Sequence, residues 1–123
     1  MIIILNSRMV RILSREGPTN LKIFVAGLQE GSCELVLPEY TLRVEFDLAS
    51  TPALGIWFNN FGFPAAPGQP FRCIAVEPTT SISDSLEDLP AEAYPVIPPH
   101  GTASWWVSLK LITGSRRRRS PPT

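Results

Sequence analysis

The clearest periodicity in the chain runs from Thr41 to Leu48, where Leu42, Val44, Phe46 and Leu48 alternate with Thr41, Arg43, Glu45 and Asp47. A period of two with one apolar and one charged face predicts a half-buried antiparallel strand. Shorter runs repeat the signature. Ile2 to Leu5 is a β-branched run suited to a first strand, with Arg8 to Leu13 as its hairpin partner across an Asn6-Ser7 turn. Leu21, Ile23 and Val25 alternate with Lys22, Phe24 and Ala26 in a third strand. After the turn at Gln29 to Ser32, Cys33, Leu35 and Leu37 mark a fourth, closed by Pro38. Leu54 to Phe58 reads as a short strand or extended edge. From Phe71 to Glu77, Phe71, Cys73, Ala75 and Glu77 share one face while Arg72, Ile74 and Val76 share the other. That predicts a strand buried on at least one side and ended by Pro78, which has no N–H to donate. Ser104 to Ile112 sets Trp105, Val107, Leu109 and Leu111 against Trp106, Ser108, Lys110 and Ile112. The two adjacent tryptophans must point opposite ways, so one is expected in the core and the other over a rim or a partner.

Between these runs the chain is punctuated by Gly, Pro and Asn. The tract from Asn59 to Pro70, NNFGFPAAPGQP, predicts a long loop pinned by Phe61 and Phe63. Ile82 to Leu89 has material for one helical turn, with Asp84 or Ser83 as the cap, and Pro90 to Gly101, with four prolines, is connector. No run supports a long helix. The expected fold is therefore all-β, an antiparallel β-sandwich, with residues 1–115 as a single domain and 116–123 as a disordered basic tail.

Composition narrows the function classes. Apolar residues make up 44% of the 123, enough for a core and against wholesale disorder. The formal charge is zero, but four of the eleven basic residues are Arg116 to Arg119. The rest of the chain has seven basic and eleven acidic groups and offers no general attraction to nucleic acid. The opening run lacks the basic start and long apolar region of a secretory signal, and no segment reaches membrane-spanning length. Cys33 and Cys73 read as two free, buried thiols of a cytoplasmic protein, with a disulfide between them as the alternative.

Candidate chemistry gathers around Glu77. A carboxylate at a strand end, followed by Thr79, Thr80, Ser81, Ser83, Asp84 and Ser85, offers a polar-ligand or proton-transfer site. The plain alternative is a rim glutamate, solvated or paired with an arginine. Trp57, beside Asn59 and Asn60, supplies the flat apolar face and amide groups from which sugar sites are built. His100 is the one histidine and has no Cys, His or Asp at metal-ligand spacing, so no metal or cofactor is expected. There is no phosphate-binding glycine loop and no nucleophile elbow.

The order LKIF, the amphipathic strand, LGIWFNNFGFP, RCIAVEPTTSISDSL and TASWWVSLKL resembles the C-terminal part of the aldose 1-epimerase (galactose mutarotase-like) family, in its branch with Glu-Pro at the strand end. The resemblance covers Leu21 to Leu111. It implies a truncated form of an antiparallel supersandwich that binds a hexose. In the active family a glutamate takes the anomeric hydroxyl proton while a histidine protonates the ring oxygen, and the ring reopens and recloses as the other anomer. That glutamate falls on Glu77, and Asp84 lies where the family often has an acidic loop residue. Trp57 and Asn59 are the sugar-holding candidates beside them. Pro78 and Thr79 depart from the family's glutamine signature. The family's sugar-holding arginine and two catalytic histidines belong to an N-terminal portion with no match here, and His100 matches neither histidine. The expectation is a carbohydrate-binding domain, weakly active or inactive alone, taking an aldose or sugar derivative and forming a homo-oligomer through exposed sheet edges. The alternative is a non-catalytic structural or protein-interaction β-sandwich.

Overall fold

The computed structural model describes residues 2–6, 8–11, 18–64, 68–93 and 95–113. The strands are β1 (Ile2–Leu5), β2 (Arg8–Arg11), β3 (Thr19–Val25), β4 (Ser32–Val36), β5 (Thr41–Phe46), β6 (Ala53–Asn60), β7 (Arg72–Thr79) and β8 (Val107–Ile112). They form two antiparallel sheets, one ordered β2-β1-β4-β5-β8 and the other β3-β6-β7. The fold is an antiparallel β-sandwich, as the alternation predicts. The basic tail and residues 12–13, expected to extend the first hairpin, lie outside the described residues.

The core is the seam between the sheets. Ile3, Leu5, Cys33, Leu35, Val44 and Phe46 come from the five-stranded sheet, and Leu54 and Ile56 from the centre of the other. Ile23, Val25, Ile74 and Val76 flank them. Complete burial of an aliphatic or aromatic side chain contributes roughly 1.5–3 kcal/mol, so these few residues dominate the stabilisation. The Thr41–Leu48 pattern survives with Val44 and Phe46 inward, although the strand ends at Phe46.

Several local expectations change. The segment expected as a short strand or edge, Leu54 to Phe58, is the eight-residue central strand of its sheet, hydrogen-bonded on both sides. Strand β7 continues through Pro78 to Thr79, because it is an edge strand with β6 as its one neighbour and an edge tolerates a missing N–H. The helical turn is a 3₁₀ turn at Leu86–Asp88 with Ser85 in the capping position, not Asp84 or Ser83. A second 3₁₀ turn, Ala91–Ala93, lies in the expected connector. Finally, neither Trp105 nor Trp106 enters the core. Both are more than half exposed, because the three-stranded sheet does not reach over β8.

Both cysteines are free, but they are not alike. Cys33 is in the core, and burial pushes its thiol up to about 11 from an ordinary 9.0. Cys73 is only half-buried, on the outer face of β7, rather than buried as expected. At pH 8 a thiol reagent is expected to modify Cys73 quickly and Cys33 only as fast as the domain opens, so that two separated phases appear in the native chain and one in denaturant. Because the folded state holds the Cys33 thiol neutral, its effect on stability is lost as pH rises from about 9 towards 11, where the unfolded chain ionises first.

Candidate functional site

The site is assembled by strand register on the outer face of the three-stranded sheet. Pairing places Lys22 opposite Trp57 and Ala75, and Phe24 opposite Gly55 and Glu77. Side chains alternate across a pleat, so Leu54, Ile56 and Phe58 go inward while Gly55, Trp57 and Asn59 face outward. Glu77, paired with Gly55, is thereby directed away from the core, which settles the direction that the Phe71–Glu77 alternation left open.

Lys22 is the hub. Its Nζ lies 2.8 Å from Oε2 of Glu77 and also donates to Oδ1 of Asp84, which the loop after β7 brings back over the sheet. It lies 5.1 Å from the centre of the Phe24 ring. These hydrogen bonds, to Asp84 first and then to Glu77, raise the ammonium pKa above its ordinary 10.5. The contribution of the pairing to stability is present below that value and is lost as pH rises past it. All three groups are partly exposed, so each pair is worth at most about 1 kcal/mol. The arrangement is better understood as orienting two carboxylates than as holding the fold together.

Gly55 makes this meeting possible. A Cβ there would lie 3.2 Å from Oε2 of Glu77, 3.3 Å from the Phe24 ring and 3.4 Å from Cε of Lys22. The bare backbone of the central strand is the floor over which the lysine crosses to the glutamate. Gly55→Ala is expected to displace the Lys22 and Glu77 side chains, visible as chemical-shift changes at Lys22, Phe24 and Glu77, while melting shifts by only a few degrees.

Trp57 shares the face. Its Nε1 donates to Oδ1 of Asn20 at 2.6 Å. Its ring meets those of Phe63 and Phe71 edge-on, at centroid distances of 5.8 and 6.0 Å. The long loop is thus pinned by aromatics, with Phe63 and Phe71 rather than Phe61 closing on the tryptophan.

Asn59 has a different task from the one expected. It is fully buried, and all four of its hydrogen-bonding positions are used. Its Nδ2 donates to the carbonyls of Phe63 and Phe71, each at 2.9 Å, and its Oδ1 accepts from the N–H groups of Gly62 and Phe63 at 3.1 and 3.0 Å. No capacity is left for a ligand, so Asn59 leaves the candidate set as the anchor of its loop. Gly62 completes the anchor, since a Cβ there would come within 2.6 Å of the Thr19 backbone.

The structure brings together Glu77 and Asp84, with Trp57 on the same face, and adds Lys22, Gly55 and Asn20. The sequence reading overlooked these three because cross-strand neighbours are set by register, which a one-dimensional pattern does not reveal. The available signal was Lys22 on the non-core face of an otherwise apolar strand. The plain alternative for Glu77 was a rim glutamate, solvated or paired with an arginine; its partner is Lys22, while Arg43 on the other sheet pairs with Glu34 and Glu45. His100 lies on a turn closed by the Gly101 N–H to the Pro98 carbonyl, and has positive φ. Three shallow clefts of about 420 to 460 Å³ lie elsewhere, and none of the three is lined by Glu77. Among the described residues no group of His, Cys, Asp and Glu is placed to hold a metal ion, and no helix is long and apolar enough to cross a membrane. No family model, curated protein or solved structure matches the chain.

Proposed function

We propose that the chain is a carbohydrate-binding β-sandwich related to the aldose 1-epimerases, with the sugar held on the outer face of β3, β6 and β7. The observation that supports it is the convergence of Glu77, Asp84, Lys22 and the Trp57 indole on one open sheet face. Carboxylates accept from sugar hydroxyls, an ammonium donates to them, and an indole covers the C–H face of a pyranose. Ring opening needs a group that protonates the ring oxygen as the anomeric hydroxyl is deprotonated. Glu77 fits the second task. His100 sits on the Pro98–Gly101 turn, outside the set of side chains that Lys22 joins, and the Lys22 ammonium is held charged by its two carboxylates, which makes it a poor proton donor. The chain by itself therefore binds without efficient turnover. Two unpaired thiols suit a reducing compartment, and we place the protein in the cytoplasm.

Titration with a panel of aldoses and sugar phosphates, followed by NMR of both protein and anomers, tests this. Saturable shifts at Lys22, Trp57 and Glu77 are expected, with anomer exchange no faster than in buffer. Glu77→Gln and Trp57→Ala should each weaken binding about tenfold, the equivalent of 1.4 kcal/mol. Exchange above background that Glu77→Gln removes would overturn the inactive assignment, and no saturable binding by any sugar would overturn the carbohydrate assignment.

A further inference from the structure

Strand β8 is one edge of the five-stranded sheet, with β2 as the other. Its residues Val107, Leu109 and Leu111 pair with Phe46, Val44 and Leu42, and so point to the core side of the sheet. Yet they are 48%, 69% and 62% exposed, whereas Val44 and Phe46 beside them are buried. An apolar strip is therefore continuous with the core but uncovered.

Among the described residues, none pairs with the outward-facing backbone groups of the same residues. The Asp47 N–H donates to the Trp106 carbonyl. In an antiparallel ladder the N–H and C=O of one residue point the same way and alternate along the strand. Trp106, Ser108, Lys110 and Ile112 thus turn their backbone groups to β5, and Val107, Leu109 and Leu111 turn theirs outward. Three residues present both unpaired hydrogen-bonding groups and exposed apolar side chains on the same edge. Natural proteins cover or blunt such an edge.

The pattern on this edge complements itself. We propose that two copies of the chain pair through β8, antiparallel, about a two-fold axis at Leu109, joining the five-stranded sheets into one continuous sheet. In that register Leu109 faces its own copy and Val107 faces Leu111, so all three outward residues bond reciprocally and the two apolar strips become one. On the opposite face Lys110 lies across from Ser108, and Trp106 across from Ile112, an aromatic against a β-branched residue. Moving the axis to Lys110 would oppose two ammonium groups, and moving it to Ser108 would pair Leu111 with Trp105, beyond the end of the strand. Charge and strand length together select Leu109. The surface is independent of the sugar site, which lies on the other sheet.

Sedimentation velocity of the full chain is expected to give a species of about twice 13.6 kDa. Leu109→Pro removes an outward N–H and none of the bonds to β5, so it should yield a monomer with an unchanged circular dichroism spectrum. Leu109→Cys, in a chain that also has Cys73→Ser, should form an intermolecular disulfide on mild oxidation. Facing residues of a hydrogen-bonded pair lie about 5.5 Å apart, within disulfide range. A wild-type chain that stays monomeric at every accessible concentration overturns the proposal. So does a Leu109→Pro chain that remains dimeric, since the dimer would then use another surface. Sugar titration of the monomeric variant should be unchanged.

Discussion

Asn59→Ala is expected to be among the most damaging single substitutions in this chain, although it removes only one small polar side chain. Four hydrogen bonds disappear together around a fully buried side chain: the N–H groups of Gly62 and Phe63 lose their acceptor, while the carbonyls of Phe71 and Phe63 keep only the N–H groups of Phe61 and Phe71. A buried group left unsatisfied costs about 1–3 kcal/mol. Relaxation of the loop recovers part of this by letting water in, so a net loss of about 3–4 kcal/mol follows. For a domain of this size that lowers Tm by roughly 15 °C. Asn59→Asp should be nearly as damaging, because a carboxylate keeps the acceptors but turns an oxygen towards the two carbonyls that need a donor. Thermal melts of both variants check this. Losses within about 1 kcal/mol would show that the loop is held by its aromatics rather than by the amide. Because Phe63 and Phe71 pack on Trp57, the same variants should also raise solvent exposure of the indole, seen as a red shift of its emission.

Phe46→Ala is expected to cost about 3–5 kcal/mol, the range for deleting a buried aromatic ring where the surroundings collapse only partly. Phe46 is 2% exposed, at the end of β5, and joins the cluster formed by both sheets. Its backbone N–H to the Gly31 carbonyl is untouched by the change, so the loss reports the side chain alone. Phe46→Leu, which refills most of the volume, should cost less than half as much. Urea denaturation of the three chains measures this, with a fall in midpoint at constant slope as the expected signature. An equal loss in both variants would mean that ring shape, not buried volume, is what the core requires.

The two substitutions differ in how far the sequence foretells them. Phe46 belongs to the most regular alternation in the chain, and a period of two with charges on one side leaves little doubt which side is buried. Asn59 offers no such signal. It sits in the run WFNNFGF, where an amide beside aromatics suits a ligand site as well as a loop anchor, and only the closing of the chain back to Phe71 decides between them. Trp105 and Trp106 illustrate the same limit. Their alternation predicts opposite directions but says nothing about whether the other sheet extends far enough to cover either.

The sequence by itself determined the all-β class, most of the strand positions, the placing of Glu77 on the strand face opposite Ile74 and Val76, and the absence of nucleic-acid-binding charge in the main body. These follow from local physics: side-chain alternation, the conformational demands of Pro and Gly, and the count of charges. The tertiary structure alone decided the rest. Register across β3, β6 and β7 made Lys22 the partner of Glu77 and Asp84 and left Gly55 as the floor beneath them. The unequal width of the two sheets left β8 uncovered. Both depend on contacts between residues far apart in the chain, whose pairing is selected by burial of the whole sandwich rather than by any neighbour in sequence.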